Sequence, residues 1–273
     1  MKKAFLVGIN KHDDPQNDLR GCVNDVKNIY QLLTQHFNFK QDNIRVLTDQ
    51  RATFDAIYER LVWLVKDSKP GDVLFFHFSG HGSQVRDRSG DELEDGLDEI
   101  LIPSNHSWDR PFLDDYLGEI FKEIPKGVNL TVIVDSCHSG SMTRSINDPE
   151  LQIIPRRIIP PFDIECRSLG RDDLIVSHFG MRDFYEQNHV LLSGCQDNET
   201  SADAFLEGDF HGALTFNFCK VVRDYIGKNK PLILSDIHKD VINNLKGSRF
   251  TQNPKLTGPD KLTKNTEFLS ILK

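Results

Sequence analysis

At 273 residues the chain is long enough to bury a substantial core, and a single α/β domain spanning residues 1–273 is expected in preference to two small ones. Its 41 acidic against 33 basic residues leave a formal charge of −8, and no run of five Lys or Arg occurs, so neither nucleic acid nor an anionic membrane is the expected partner. Five cysteines, an odd number without metal-type spacing, point to a reducing, cytoplasmic setting; no apolar run approaches the roughly 18 residues of a membrane span, so a soluble protein is expected, and a monomer.

The opening Met1-Lys2-Lys3-Ala4-Phe5-Leu6-Val7-Gly8-Ile9 imitates a signal peptide, but its apolar part is only about six residues long and Lys11, Asp13 and Asp14 follow at once. It is better read as the first strand. Further strand-like runs lie at 44–48, 73–79, 99–102, 131–135, 189–193 and 266–272. Between them fall amphipathic helices. Asn24–Phe37 lines up Val26, Ile29, Tyr30, Leu33 and Phe37, and Thr53–Val65 lines up Phe54, Ile57, Leu61, Leu64 and Val65, with further helices over 113–123, 211–226 and 233–246. Strand and helix in alternation imply a mostly parallel sheet of about six strands, covered by helices on both faces through right-handed crossovers.

Residues 144–188 break the rhythm. They hold Pro149, Pro155, Pro160 and Pro161 with Arg144, Arg156, Arg157, Arg167 and Arg171, too long and too proline-punctuated for an ordinary connection. This is an insertion over the site or a cleavable linker.

Two stretches carry the chemistry. Thr131-Val-Ile-Val-Asp-Ser-Cys-His-Ser-Gly140 is a β-branched run that breaks into a polar turn, which delivers the thiol of Cys137 just past the carboxyl end of a buried strand, where open α/β sheets place their reactive groups. Asp72-Val-Leu-Phe-Phe-His-Phe-Ser-Gly-His-Gly82 ends the same way and presents His81. If the two strands are neighbours, roughly 5 Å apart, thiol and imidazole can act as nucleophile and base. The amides of Gly82 and Cys137 could then point at a developing oxyanion, about 3 kcal/mol for one such donor. A cysteine alone at a strand end is more often an inert buried thiol; the matching histidine is what favours catalysis. His138 points to the opposite face from Cys137, and His77, inside its strand, is read as a core or sheet-face histidine. Cys22 and Cys195 flank the site and are not expected to be nucleophiles. Trp63 and Trp108 are read as packing.

Phe-Ser-Gly-His-Gly at 78–82, Asp-Ser-Cys-His-Ser-Gly at 135–140, Leu-Arg-Gly-Cys-Val-Asn-Asp at 19–25 and Ser-Gly-Cys-Gln-Asp-Asn-Glu-Thr-Ser-Ala-Asp at 193–203, in that setting and with 56 positions between His81 and Cys137, resemble the metacaspases of the caspase-like cysteine protease clan. The nucleophile lacks the Gln-Ala-Cys context of true caspases, and with no large prodomain the chain resembles a compact, single-domain member. The resemblance implies a three-layer caspase-like fold and a cysteine endopeptidase working through a Cys-His dyad and an acyl-enzyme.

Asp135, two residues before Cys137 and so on the same side of its strand, can meet the side chain preceding the scissile bond. The resemblance adds Asp25 and Ser79 as further pocket walls. Two carboxylates favour Arg or Lys there and repel Asp, the reverse of the caspase preference. Asp25 also reads as a carboxylate favoured by a helix N-terminus, a role compatible with the pocket one; Asp135 also reads as a triad aspartate orienting the histidine, and there the family likeness favours the pocket role.

Asp98, Asp114 and Asp115 match positions that hold a regulatory calcium in many metacaspases. The family's fourth acidic ligand falls on Arg144 here, so calcium is expected to be weakly used or unnecessary, and none is required for the chemistry. Metacaspase-like proteins often cut themselves after a basic residue, and Arg144, Arg156, Arg157, Arg167 and Arg171 are the candidates. Two other readings stay open: a catalytically idle binding or scaffold module, and a related Cys-His hydrolase with a non-peptide, cationic substrate.

Overall fold

The structure is a computed structural model that describes residues 1–86, 97–137, 151–166, 189–194 and 201–272. In chain order it contains β1 (Lys2–Gly8), α1 (Cys22–His36), β2 (Ile44–Thr48), α2 (Phe54–Val65), β3 (Val73–Ser79), β4 (Gly82–Arg86), β5 (Leu97–Leu101), β6 (Phe112–Leu113), α3 (Asp115–Phe121) and β7 (Asn129–Asp135). There follow β8 (Ile154–Pro155), α4 (Phe162–Cys166), β9 (His189–Ser193), β10 (Ala202–Leu206), β11 (Asp209–Gly212), α5 (Ala213–Gly227), α6 (Leu234–Gly247), β12 (Lys255–Thr257) and α7 (Asp260–Thr263). None of the described helices is long and apolar enough to cross a membrane.

Six strands form the main sheet in the order β12-β9-β7-β3-β1-β2, all parallel except β12, which runs against β9. Strands β1, β3 and β7 read as near-continuous apolar runs because both faces of the sheet are covered. Successive side chains alternate between faces. Ala4, Leu6, Val73, Phe75 and Ile133 join Val26, Ile29 and Leu33 of α1, Leu214, Phe218 and Val222 of α5, and Ile237 and Val241 of α6 in one core cluster. Phe5, Val7, Leu74, Phe76, Phe78, Leu130 and Val132 form the other with Ile57, Leu61 and Leu64 of α2 and Leu117, Ile120 and Phe121 of α3. Each such Val, Leu, Ile or Phe side chain contributes roughly 1.5–3 kcal/mol on burial. The helix boundaries follow local chemistry: the Thr53 hydroxyl accepts from the amide of Ala56 at 3.3 Å to start α2, and Asn38, at φ 56°, turns the chain just beyond α1.

Two sequence expectations need correction. Residues 266–272 are not a strand: Leu269 sits at φ 57°, and the apolar run is there because Phe268 turns its ring edge against Phe37, Phe75 and Phe218. Short apolar runs do not distinguish a strand from an anchored irregular segment. The sixth strand is β12 instead. The run at 99–102 falls largely in β5, but β5 belongs to a small antiparallel sheet, β4-β5-β6, outside the main sheet. A second small sheet, β11-β10-β8, draws β8 from within the proline-rich segment.

Candidate active site

Strands β3 and β7 pair in parallel from Val73↔Asn129 to Ser79↔Asp135. His81 and Cys137 therefore stand at equivalent places, each two residues beyond the last registered pair of neighbouring strands. The amide of Gly80 reaches the Asp135 carbonyl at 3.4 Å and keeps the two exits side by side. Cys137 and His81 are both buried, and the Cys137 thiol takes a contact from the amide of Ser201.

The ring of His81 is fixed from outside its own strand. Its Nε2 lies 2.7 Å from the carbonyl oxygen of Asn17; a carbonyl only accepts, so Nε2 carries the proton and Nδ1 is the free base. Asn17 belongs to a loop tied down by carboxylates inside and outside it. Asp49 accepts from the amides of Asn10 and Lys11 at 2.9 and 3.1 Å, and Asp18 accepts from the amide of His12 at 3.1 Å. The ring of His12 packs 5.0 Å from that of His81, centroid to centroid. Burial, and next to it the neighbouring His12, push the His81 pKa down to about 3, against an opposite pull from the carbonyls of Asn17 and Arg156. The imidazole is thus neutral in this state. His77, a core histidine held by the Thr215 hydroxyl at 3.2 Å, is pushed by burial to about 3 as well.

Beside this pair lies an acidic recess, and it is filled by the chain's own Arg156, which is fully buried. Nη2 donates to Asp25 at 2.8 Å and to Asp203 at 2.9 Å; Nη1 donates to the Ser79 hydroxyl at 2.8 Å and to the Asp135 carbonyl at 3.1 Å, with the Asp135 carboxylate at 3.5 Å. Burial pulls its pKa down, but the carboxylates of Asp135, Asp25 and Asp203 around it outweigh that and raise it well above the usual guanidinium value. Burial also raises the pKa of Asp25, although Arg156 opposes it.

Each carboxylate has its own support. Asp25, on the buried face of α1, accepts from the Ser79 hydroxyl at 2.7 Å and from the Gly212 amide at 3.0 Å. Asp135 accepts from the Ser201 hydroxyl at 2.6 Å and from the Thr215 amide and hydroxyl at 2.8 and 2.7 Å. Asp203 accepts from the amides of Arg20 and Gly21 at 2.8 and 3.0 Å. Gly212 is the floor of the recess: a Cβ there would collide with the Asp135 carboxylate and with Nη1 of Arg156.

The backbone of Arg156 is held as firmly as its side chain. Its carbonyl accepts from the amides of Gly82 at 3.1 Å and Cys137 at 3.2 Å, and its amide donates to the Ser201 carbonyl at 3.0 Å. Upstream, β8 pairs antiparallel with β10 through Pro155↔Ala202 and Ile154↔Asp203. Downstream, Arg157 bridges to Gly82 and the amide of Ile158 donates to the Gly82 carbonyl at 3.0 Å. An extended segment, 154–158, thus crosses the ends of β3 and β7 with one carbonyl aimed between two amides.

The structure therefore gathers Cys137, His81, Gly82, Asp25, Asp135, Ser79 and Arg156 at one sheet edge. Arg157, half-buried, follows Arg156 along it. The Asp135 carboxylate is taken up by Ser201, Thr215 and Arg156, and the ring of His81 is held by the Asn17 carbonyl, which sets aside the triad reading of Asp135. Sequence reasoning assigned no role to Asp203, although it closes the fourth motif block, nor to Ser201, Thr215 or Asn17. Asn17 acts through its carbonyl, which no residue type signals. Cys22 and Cys219 are buried thiols whose pKa burial raises, that of Cys219 to about 12.

Asp98, on β5, and Asp114, just past β6, are buried; the amide of Asp114 donates to the Glu99 carbonyl at 3.0 Å, and Asp115 opens α3. Hard carboxylate donors suit calcium, yet among the described residues no group of three or more His, Cys, Asp or Glu is arranged to hold a metal ion. Arg144, Arg167, Arg171, His138 and Cys195 lie outside the described residues.

The family model for the metacaspase peptidase C14 domain matches residues 2–145. Metacaspase-1 of Candida glabrata is 30% identical over 98% of this chain and 75% of its own length, and metacaspase-1 of Schizosaccharomyces pombe is 32% identical over 97% and 68%. Among solved structures, GSU0716 from Geobacter sulfurreducens superposes with a TM-score of 0.66 at 23% identity, covering 100% of this chain and 99% of that one. Caspase-1 from Spodoptera frugiperda does so with 0.59 at 10% identity, covering 94% and 86%, a likeness of fold. With its paired strand exits, its buried thiol and these relatives, the chain belongs to the metacaspase family of cysteine peptidases.

Proposed function

We propose that this chain is an endopeptidase that cuts after Arg or Lys, and that its own Arg156–Arg157 bond is one of its substrates. The observation that carries the reading is the pose of Arg156: guanidinium among Asp25, Asp135 and Asp203, carbonyl oxygen on the amides of Gly82 and Cys137. That is the arrangement a substrate adopts when its carbonyl carbon faces a nucleophile and its oxygen faces the donors that will hold an oxyanion.

In the proposed path Nδ1 of His81 takes the Cys137 proton, and the thiolate forms a bond to the carbonyl carbon of the Arg residue. The negative charge that develops on the oxygen is held by the amides of Gly82 and Cys137. Collapse breaks the carbon–nitrogen bond, and the proton held on His81 passes to the leaving amine. Water, deprotonated by the same imidazole, then attacks the thioester and releases the new carboxylate. The recess supplies specificity through charge: one guanidinium meets several carboxylates, whereas an Asp side chain would add another anion to a buried acidic site.

The decisive test compares fluorogenic Arg, Lys and Asp peptides, with Cys137→Ala as control. Hydrolysis of the Arg and Lys substrates alone, lost in Cys137→Ala, is the expected result. Hydrolysis of the Asp substrate, or Arg hydrolysis that survives in Cys137→Ala, sinks the proposal.

A further inference from the structure

The site continues beyond the scissile bond. Ile158, two residues after Arg156, is anchored by its amide on the Gly82 carbonyl at 3.0 Å, and its side chain packs against the buried cluster of Val85, Ile100, Ile102 and Ile164. Val85 lies on β4, Ile100 on β5 and Ile102 just past it, so the floor of this recess is the small antiparallel sheet that stands apart from the main one. His81 ties that sheet to the reacting end: its carbonyl accepts from the amide of Ile102 at 3.1 Å. The same short segment, Gly82, thus donates to the carbonyl before the scissile bond and accepts from the second residue after it. Ile159, next along, points away and is 52% exposed.

We infer that the β4-β5 sheet forms an apolar subsite for the second residue after the cut, and that peptides are selected for a branched aliphatic side chain there as well as for Arg or Lys before the bond. This deepens the endopeptidase reading and rests on it, with the chain's own Ile158 as the occupant that shows the fit. The register accounts for selectivity at this position: the Gly82–Ile158 bond fixes how far the peptide advances, and the recess offers Val and Ile side chains in place of water. An Asp or Gly there forfeits the apolar contact, and Asp also carries its charge against an apolar wall.

The test uses internally quenched peptides of the sequence 152–160, Gln-Ile-Ile-Pro-Arg-Arg-Ile-Ile-Pro, with Val, Gly or Asp in place of the residue at 158, and a control with Asp at 159. The wild-type chain should cut the Ile and Val peptides with similar kcat/KM and the Gly and Asp peptides roughly ten-fold or more slowly, a magnitude in line with single apolar subsites. The 159 control should match the parent. Equal rates for Ile, Gly and Asp at 158 overturn the subsite and leave the endopeptidase reading standing. Failure to cut any of them overturns both.

Discussion

The backbone amide of Cys137 donates to the carbonyl oxygen of Arg156 at 3.2 Å, across a stretch of chain that the primary sequence gives no reason to bring together. The residue that carries the thiol and the residue whose side chain fills the acidic recess are therefore joined directly, and under the proposed function a bound substrate makes the same hydrogen bond.

The first consequence is a mapped cut. Purified wild-type chain is expected to split into fragments ending at Arg156 and beginning at Arg157, read by intact-mass analysis and N-terminal sequencing, while Cys137→Ala stays whole. A fragment boundary after Arg157 or within the segment 167–171, with Arg156–Arg157 left intact, would show that the pose is not productive.

In the uncut chain Arg156 also holds three buried carboxylates together. Replacing it by Gln in the Cys137→Ala background leaves Asp25, Asp135 and Asp203 without their cation, and breaking a buried ion pair from one side costs about 3–5 kcal/mol. Urea denaturation of the two proteins reads the difference. A midpoint unchanged by Arg156→Gln would mean that those aspartates are already protonated or solvated.

Gly212 should be intolerant of any side chain. Gly212→Ala places a methyl group where the Asp135 carboxylate and the arginine end would be, so Arg hydrolysis should fall by a factor of about a hundred or more, as misplacement of a bound group does. Retention of most of the activity would move the specificity pocket elsewhere.

Stability should drop on the acid side. The pKa values of His77 and His81 are depressed to about 3 and that of His106 to about 4, all led by burial. A histidine with a folded pKa below its unfolded value contributes fully above about pH 6.5 and loses that contribution as pH falls toward the folded value, at roughly 2 kcal/mol for His77 or His81 by pH 5. The raised pKa of Asp25 works in the other direction and offsets part of this. Denaturation of Cys137→Ala at pH 7.5 and pH 5.0 should show the acid sample less stable, and His77→Asn should flatten the slope.

Calcium is expected to matter little. Arg144 stands where the resemblance places a fourth acidic ligand to accompany Asp98, Asp114 and Asp115. Equal rates of Arg-peptide hydrolysis in chelator and in millimolar calcium are the expected outcome, and strong activation by calcium would refute it.

Much of this site is legible along the chain because its signals are local. A strand buried on both faces must read as an unbroken apolar run, so β3 and β7 announce themselves, and with them the thiol and imidazole just past their ends. Parity along β7 places Asp135 with Cys137. The negative sign of the recess that Arg156 fills follows from carboxylates already visible in the motifs.

What only the tertiary structure decided are the pairings between distant segments. Asp25 meets the amide of Gly212 across 187 positions, and Arg156 meets Asp203 across 47; periodicity reports which face a residue takes, not which loop arrives opposite it. The same holds for the Asn17 carbonyl on His81, a backbone group that every residue possesses. Five arginines in the proline-rich segment look alike in sequence. Of the two described, Arg156 rather than Arg157 enters the recess because β8 adds to β10 in one register, which carries this guanidinium inward.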